Sequence, residues 1–124
     1  MARDHRKLRV FHLSHQLILA IYKETARFPR DEWFGLRAQI RRAAVSVACN
    51  IVEGNARRTT AEYVNFLNIA RASASELEYL IGLATELGYL ERQTGTPLIR
   101  SCNDVIPQIE MLLRRMERYQ RTRD

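Results

Sequence analysis

Apolar residues recur every three or four positions through most of this 124-residue chain, and little interrupts the pattern. The chain has only five glycines and three prolines, and it contains no Asn-Gly or Asp-Gly pair that would mark a hairpin. No segment alternates polar and apolar residues with the period of two that a half-buried strand shows. The pattern therefore predicts an all-α protein with four helices, over about residues 9–27, 32–57, 60–87 and 97–121.

Local sequence signals support these helix ends. The proline that follows Phe28 ends the first helix, and Thr59 with a glutamate three residues later predicts a capping box at the start of the third. Pro97 is expected at the first position of the fourth helix, and Pro107 predicts either a kink or a later start. The connections are short, so neighbouring helices should run antiparallel. We predict one domain, residues 1–124, folded as an up-down-up-down four-helix bundle.

The second helix carries three distinct faces. Its core face holds Leu36, Ile40, Ala43, Ala44, Val47 and Ile51. A polar line beside it holds Gln39, Arg42, Ser46, Asn50, Glu53 and Arg57. A third face is again apolar or small and holds Ala38, Val45, Cys49 and Val52. Only Arg37 and Arg41 are placed for solvent by the helical wheel.

A surface helix of a monomeric bundle needs one apolar stripe, and this helix has two. The third face, with Val45, Cys49 and Val52, therefore indicates a subunit interface, although a wide internal core would also explain it. The polar line also has two interpretations, as a surface for nucleic acid or a partner, or as a structural seam. The seam is favoured because buried polar groups need partners. It would contain Gln39, Ser46, Asn50 and Glu53.

The charge is strongly basic, with 20 Lys and Arg against 14 Asp and Glu, and all but two of the basic residues are Arg. Arginine offers a planar set of donors that suits phosphate. Positive charge lies mainly at the chain ends and in the second quarter, whereas residues 61–91 are acidic. The candidate phosphate contacts are Arg37, Arg41, Arg42, Arg57, Arg58, Arg114, Arg115 and Arg118. Solubility, or the dipole at a helix C-terminus, would explain part of this charge equally well.

Motifs for catalysis or metal binding are missing from the sequence. His5, His12 and His15 form no Glu-x-x-His pair, and there is no nucleotide-binding loop, HExxH or GxSxG. Cys49 and Cys102 match no CxxC pattern and are expected to be reduced core residues. We expect no enzyme, cofactor or metal. There is no membrane-length apolar segment or signal core, which predicts a cytoplasmic protein that makes no membrane contact.

Several separated segments resemble a known family in order and spacing. They are residues 28–36, 39–43, 46–54 with Arg57, 66–71 and 75–78. Over about residues 8–118, the chain resembles the bacterial four-helix-bundle family of 23S rRNA intervening-sequence proteins. The accessory variability determinant proteins of diversity-generating retroelements are similar to that family. The chain departs from the family by having Ala48 where proline is expected and Ala72 where glycine is expected.

The resemblance implies a ring-like homopentamer of four-helix bundles without catalytic activity. It also implies a basic surface or central channel that contacts nucleic acid. For the retroelement members, it implies binding of a reverse transcriptase and its template RNA. We therefore expect a non-enzymatic, homopentameric scaffold that binds nucleic acid, RNA in particular. The alternative is an adaptor that binds a reverse transcriptase and its template RNA as an accessory variability determinant.

Overall fold

The computed structural model describes residues 3–123, with side chains for residues 3–122, so the predicted domain of residues 1–124 extends beyond them at both ends. The helices are α1 (Arg9–Glu24), α2 (Leu36–Asn55), α3 (Thr60–Glu86) and α4 (Arg92–Arg123). Single 3-10 turns at His5–Lys7 and Arg30–Glu32 precede α1 and α2. There is no strand in residues 3–123. The predicted all-helical fold with four α-helices is confirmed.

The four helices pack as a closed square, with α1 and α3 each contacting both α2 and α4. Only residues 56–59 connect α2 to α3, and only residues 87–91 connect α3 to α4, so these neighbours run antiparallel. Near the start of α2, Arg41 donates to the carbonyl of Tyr22 near the end of α1, so this pair is antiparallel as well. The arrangement is that of an antiparallel four-helix bundle.

The core is formed by buried apolar side chains that recur every three or four residues along the helices. All six residues of the α2 core face are buried. From α3 the core receives Tyr63, Leu67, Ala70, Ala74, Leu77, Ile81 and Ala84, and from α4 it receives Leu98, Cys102, Val105, Ile109 and Leu112. Each large apolar side chain buried in this way contributes roughly 1.5–3 kcal/mol, which makes the core the main source of stability.

Two helix ends lie three or more residues inside the predicted ranges. α1 ends at Glu24 rather than near residue 27, because the backbone and hydroxyl of Thr25 both bond to the carbonyl of Ile21 and close the last turn. α2 begins at Leu36 rather than near residue 32. The Glu32 carboxylate accepts from the Leu36 amide at 3.0 Å and so caps the helix from the preceding turn. Thr59 caps α3 as predicted, accepting from the amide of Glu62.

The predicted start of α4 is wrong, because α4 begins at Arg92 and contains both Pro97 and Pro107. Pro97 lies on an exposed surface, where water can satisfy the backbone carbonyl that loses its helical partner. Gly95 is buried, and a Cβ there would collide with the hydroxyl of Thr85 on α3. Gly95 therefore lies within α4 and not in the preceding loop, and it permits close contact between α3 and α4.

A second set of apolar side chains lies outside the core, at the surface of the bundle. On the third face of α2, Ala38, Val45 and Val52 are half-buried and Cys49 is exposed. The expectation of a core thiol is therefore correct for Cys102 and wrong for Cys49. Large exposed apolar residues elsewhere include Phe34, which is 93% exposed, and Ile69, Tyr79 and Leu87. None of the helices in residues 3–123 has the length and apolar character needed to cross a bilayer.

Candidate nucleic-acid interface

A plane across the middle of the four helices divides the bundle into two halves with different net charge. The basic half comprises residues 3–16, 46–73 and 108–122, and the neutral half comprises residues 17–45 and 74–107. Eleven basic and five acidic residues lie in the basic half, whereas the neutral half contains eight of each. All the net charge of residues 3–122 is thus at one end, where the chain start meets the ends of α2 and α4.

Tyr63 lies at the centre of the basic half and is almost completely buried. The Arg3 guanidinium lies 4.8 Å from the centre of the Tyr63 ring and donates to the Arg57 carbonyl at 3.4 Å. The Tyr63 hydroxyl accepts from the Asn55 amide at 2.8 Å. Burial raises the pKa of Tyr63, while the bond from Asn55 and the positive charges of Arg3 and Arg115 act against that increase. These contacts place Arg3 and Arg115 near Tyr63, beside the α2–α3 connection.

Five of the predicted phosphate contacts lie in this basic half. The Arg57 guanidinium lies 4.7 Å from the centre of the Phe66 ring and 3.9 Å from the Glu53 carboxylate, in an exposed pair that adds little stability. The other four, which are exposed, are Arg58, Arg114, Arg115 and Arg118. Their side chains can therefore reach a polyanion in solvent.

The basic half also contains Arg3, Arg6 and Lys7, which were not among the predicted contacts. The charge of the first nine residues was the available signal, but only the fold shows that this segment meets the ends of α2 and α4. Arg6 bonds to the Asp4 carboxylate at 2.9 Å, and this contact lowers the pKa of Asp4. Arg3 and Lys7 are exposed.

The other three predicted contacts, Arg37, Arg41 and Arg42, lie in the neutral half. The Arg41 guanidinium donates to the Thr25 hydroxyl at 2.9 Å and to the Tyr22 carbonyl at 3.1 Å. Arg37 packs on the Trp33 ring, 4.6 Å from its centre. The predicted solvent placement of Arg37 and Arg41 is therefore wrong, because both side chains fold back onto neighbouring groups.

The eight predicted arginines do not form one patch. Arg57 lies 16 positions after Arg41, just beyond the end of α2, which corresponds to about 24 Å along the helix axis. Arg42 is exposed and lines an open groove of about 700 Å³ between α1 and α2, together with Trp33 and Phe34. The two groups of arginines therefore have different surroundings, and only the basic half presents a dense positive surface.

The polar line of α2 lies along its contact with α3. The hydroxyls of Ser46 and Ser73 are 2.8 Å apart, and the Asn50 amide donates to the Ser46 carbonyl at 2.7 Å. Gln39 donates to Glu76 at 3.5 Å. Gln39, Ser46 and Asn50 therefore bond inside the protomer, while Glu53 stays exposed beside Arg57.

The three histidines surround one aromatic ring near the start of α1. The rings of His5, His12 and His15 lie 4.7, 5.4 and 6.0 Å from that of Phe11. The Nε2 atom of His12 is 2.6 Å from the carbonyl oxygen of Arg6. In the described part of the chain, no group of three or more His, Cys, Asp or Glu side chains could hold a metal ion.

Residues 6–111 match the family described as 23S rRNA-intervening sequence protein. The fold is similar to the crystal structure of a protein of unknown function from the S23 ribosomal protein family of Bacteroides thetaiotaomicron. That likeness has a TM-score of 0.79 and 23% identity, and covers 85% of this chain and 95% of the other. No curated protein matches the chain. The match spans most of the bundle, so the chain belongs to the family of 23S rRNA-intervening sequence proteins.

Proposed function

We propose that this protein is a non-enzymatic, homopentameric scaffold in the cytoplasm that binds nucleic acid, RNA in particular, through its basic half. One observation carries the proposal. Segments far apart in sequence bring all the net charge of residues 3–122 to one end of the bundle. Soluble proteins need no such separation of charge, and a basic surface at one end is the electrostatic pattern of a polyanion-binding protein. The family description, which refers to 23S rRNA, agrees with an RNA ligand.

The binding chemistry is mainly electrostatic. Exposed guanidinium groups bind phosphate oxygens through paired hydrogen bonds and release counterions from the RNA. Such contacts follow the shape of the phosphate backbone and carry little sequence information. In a ring, the five basic halves would act together, so a weak contact by one protomer would become a strong contact by the assembly.

A charge-reversal experiment tests this proposal. Arg58→Glu with Arg115→Glu reverses two exposed arginines of the basic half. The matched control, Arg92→Glu with Arg100→Glu, makes the same charge change in the neutral half. Arg41 is unsuitable for this test, because reversing it would also disturb the contact with α1.

The measurement is binding of one structured RNA and one duplex DNA of equal length across a salt series. For the wild type we expect log affinity to fall by several units per unit of log salt. The basic-half variant should lose roughly 100-fold in affinity, and its salt slope should fall by about two. The control should stay within about threefold of the wild type. Equal losses in the two variants, or no wild-type binding at low salt, would contradict the proposal.

The uncovered apolar faces support the homopentamer. The third face of α2, with Val45, Cys49 and Val52, and the exposed Ile69 and Leu87 of α3 leave apolar surface that a monomer does not need. Sedimentation should give a particle with five times the 14.5 kDa protomer mass. A monomer at micromolar concentration would contradict this part of the proposal.

The second candidate is an adaptor that binds a reverse transcriptase and its template RNA, as accessory variability determinants do. The acidic C-terminal part of α3, where Glu78 and Glu86 line a groove, favours a basic protein partner. Co-elution with a reverse transcriptase encoded beside this chain, lost on Glu78→Arg with Glu86→Arg, would support it. Co-elution that is unchanged by these substitutions would contradict this use of the groove.

A further inference from the structure

An acidic groove of about 450 Å³ runs between α3 and α4 in the neutral half. Glu78 and Glu86 line it together with the apolar Leu83 and Ile99. A Cβ added at Gly82 would have no other atom within 4 Å, so the groove is open above this residue. The groove therefore combines an apolar base with two carboxylates.

A basic and aromatic surface lies on the α1–α2 side of the same half, and we call it the Phe34 face (Phe34, Arg37, Arg42). Phe34 is 93% exposed, so its ring offers apolar surface to a partner. Arg37 is half-buried on the same face, with its guanidinium 4.6 Å from the centre of the Trp33 ring. Arg42 is exposed at the side of the same face.

The two sides of the neutral half have equal and opposite charge. Residues 17–45 contain six basic and three acidic residues, whereas residues 74–107 contain two basic and five acidic residues. The Phe34 face belongs to the first segment, and the acidic groove belongs to the second. A second copy of this chain therefore supplies a surface of the charge that each side lacks.

The two surfaces also lie at the same height in the bundle. The α1–α2 and α3–α4 connections are at the same end, so residues 34–46 of α2 lie level with residues 75–86 of α3. A contact between two unlike faces at the same level repeats around an axis and can close into a ring. A contact between two identical faces would stop at a dimer.

We propose that the Phe34 face of one copy docks into the acidic groove of a second copy. Phe34 packs over Gly82, and Arg37 and Arg42 meet the carboxylates of Glu78 and Glu86. The inference deepens the proposed homopentamer by assigning one pair of contacting surfaces, which adjoins the third face of α2 because Val45 lines the same groove as Phe34. It is independent of RNA binding. It assigns Arg42 to assembly and not to phosphate contact.

Two variants, each altering one face, test the contact. The face variant is Phe34→Ser with Arg42→Ser, and the groove variant is Glu78→Arg with Glu86→Arg, so the two altered surfaces do not have complementary charge. These side chains are exposed or half-buried, and a thermal melt by circular dichroism checks that both variants fold. Arg92→Glu, an exposed change outside both surfaces, is the control.

The readout is native mass spectrometry with sedimentation velocity. Each variant alone should be monomeric, with association at least tenfold weaker than in the wild type, and the control should assemble normally. Each variant retains one intact surface. An equimolar mixture should therefore form a 1:1 heterodimer and nothing larger, a result that only unlike contacting faces produce.

Three results would overturn the inference. The first is wild-type assembly by either folded variant. The second is a mixture that stays monomeric, since the surfaces would then not pair with each other. The third is a monomeric wild type, which would also remove the homopentamer. RNA binding by the basic half is measured separately, so failure of this contact and failure of RNA binding can be distinguished.

Discussion

The basic and neutral halves of the bundle share four helices and one continuous core, yet they use arginine in different ways. In the neutral half, Arg41 bonds to the end of α1 and Arg37 packs on Trp33. In the basic half, Arg58 and Arg115 extend into solvent. The comparison teaches that internal acceptors, such as the two that hold Arg41, make an arginine less available to a ligand. Position on a helical wheel does not decide this.

The largest expected effect comes from two tyrosine rings that each lie beneath an arginine. Tyr63 lies beneath Arg3, and Tyr22 lies beneath Arg41, whose guanidinium is 4.4 Å from the ring centre. Tyr63→Ala removes a buried ring from the basic half and should cost about 3–5 kcal/mol in the free energy of unfolding. Tyr22→Ala removes a ring that is 42% exposed and should cost about 1 kcal/mol. Urea unfolding measures both. Equal costs would mean that burial does not distinguish these two Arg–Tyr contacts.

A smaller effect should separate the two kinds of arginine directly. Arg41→Met keeps an apolar stem but removes the bonds to Thr25 and Tyr22, so it should cost about 1–2 kcal/mol. Arg58→Met removes an exposed side chain and should change stability by about 0.5 kcal/mol at most. Thermal and urea unfolding of the pair measure the difference. A large loss for Arg58→Met would show that the basic half also depends on its arginines for folding.

The third prediction concerns alkaline pH and the buried thiol of the neutral half. Burial raises the pKa of Cys102 from 9.0 to about 12, and the charge of Glu78 adds to the increase. Between these values the unfolded chain loses the proton and the folded chain keeps it, so stability falls as pH rises. The loss from this group should be about 1 kcal/mol between pH 8.5 and 10.

The matched variant for this experiment is Cys102→Ala. It should be less stable at neutral pH, because it leaves a small cavity, but its stability should decline less between pH 8.5 and 10. Urea unfolding at each pH measures the two slopes. The same decline in the variant and the wild type would assign the alkaline loss to other groups, such as Tyr63.

The smallest expected effect compares the electrostatic field in the two halves. Glu78→Gln should lower the pKa of Cys102, because it removes a nearby negative charge. Arg115→Gln should raise the pKa of Tyr63, because it removes a nearby positive charge. Thiolate absorbance as a function of pH measures the pKa of Cys102, and NMR of labelled tyrosine measures that of Tyr63. Shifts in the same direction would contradict the separation of charge between the halves.

The helices and the core follow from the sequence because the apolar spacing of α2, α3 and α4 depends only on helix geometry. The start of α4 could not be predicted, since Gly95 and Pro97 have the composition of a turn. Only the packing of Gly95 against Thr85 explains the helix there. The start of α2 depends on a side-chain cap from Glu32. The local sequence around Glu32 gives too weak a signal to predict this cap.

The candidate site was predictable in its residue types but not in its arrangement. Arginine clusters at Arg57 and Arg114 are visible in the sequence, whereas their meeting with Arg3 depends on the antiparallel packing of α1, α2 and α4. Whether Arg41 is free to bind a ligand depends on where α1 ends, because Arg41 donates to the Tyr22 carbonyl near that end. Such contacts join residues that are distant in sequence, so hydrophobic periodicity cannot predict them.

The packing of α1 has a consequence for the order in which parts of the molecule open. α2, α3 and α4 form two tight hairpins, whereas α1 makes less extensive contacts with α2 and α4. α1 should therefore detach before the rest unfolds, and its amide hydrogens should exchange fastest among the four helices. Detachment also removes Arg3 and Lys7 from the basic half. A bound polyanion would then hold α1 in place and slow exchange along it, so that ligand affinity and the lifetime of the attached helix rise together.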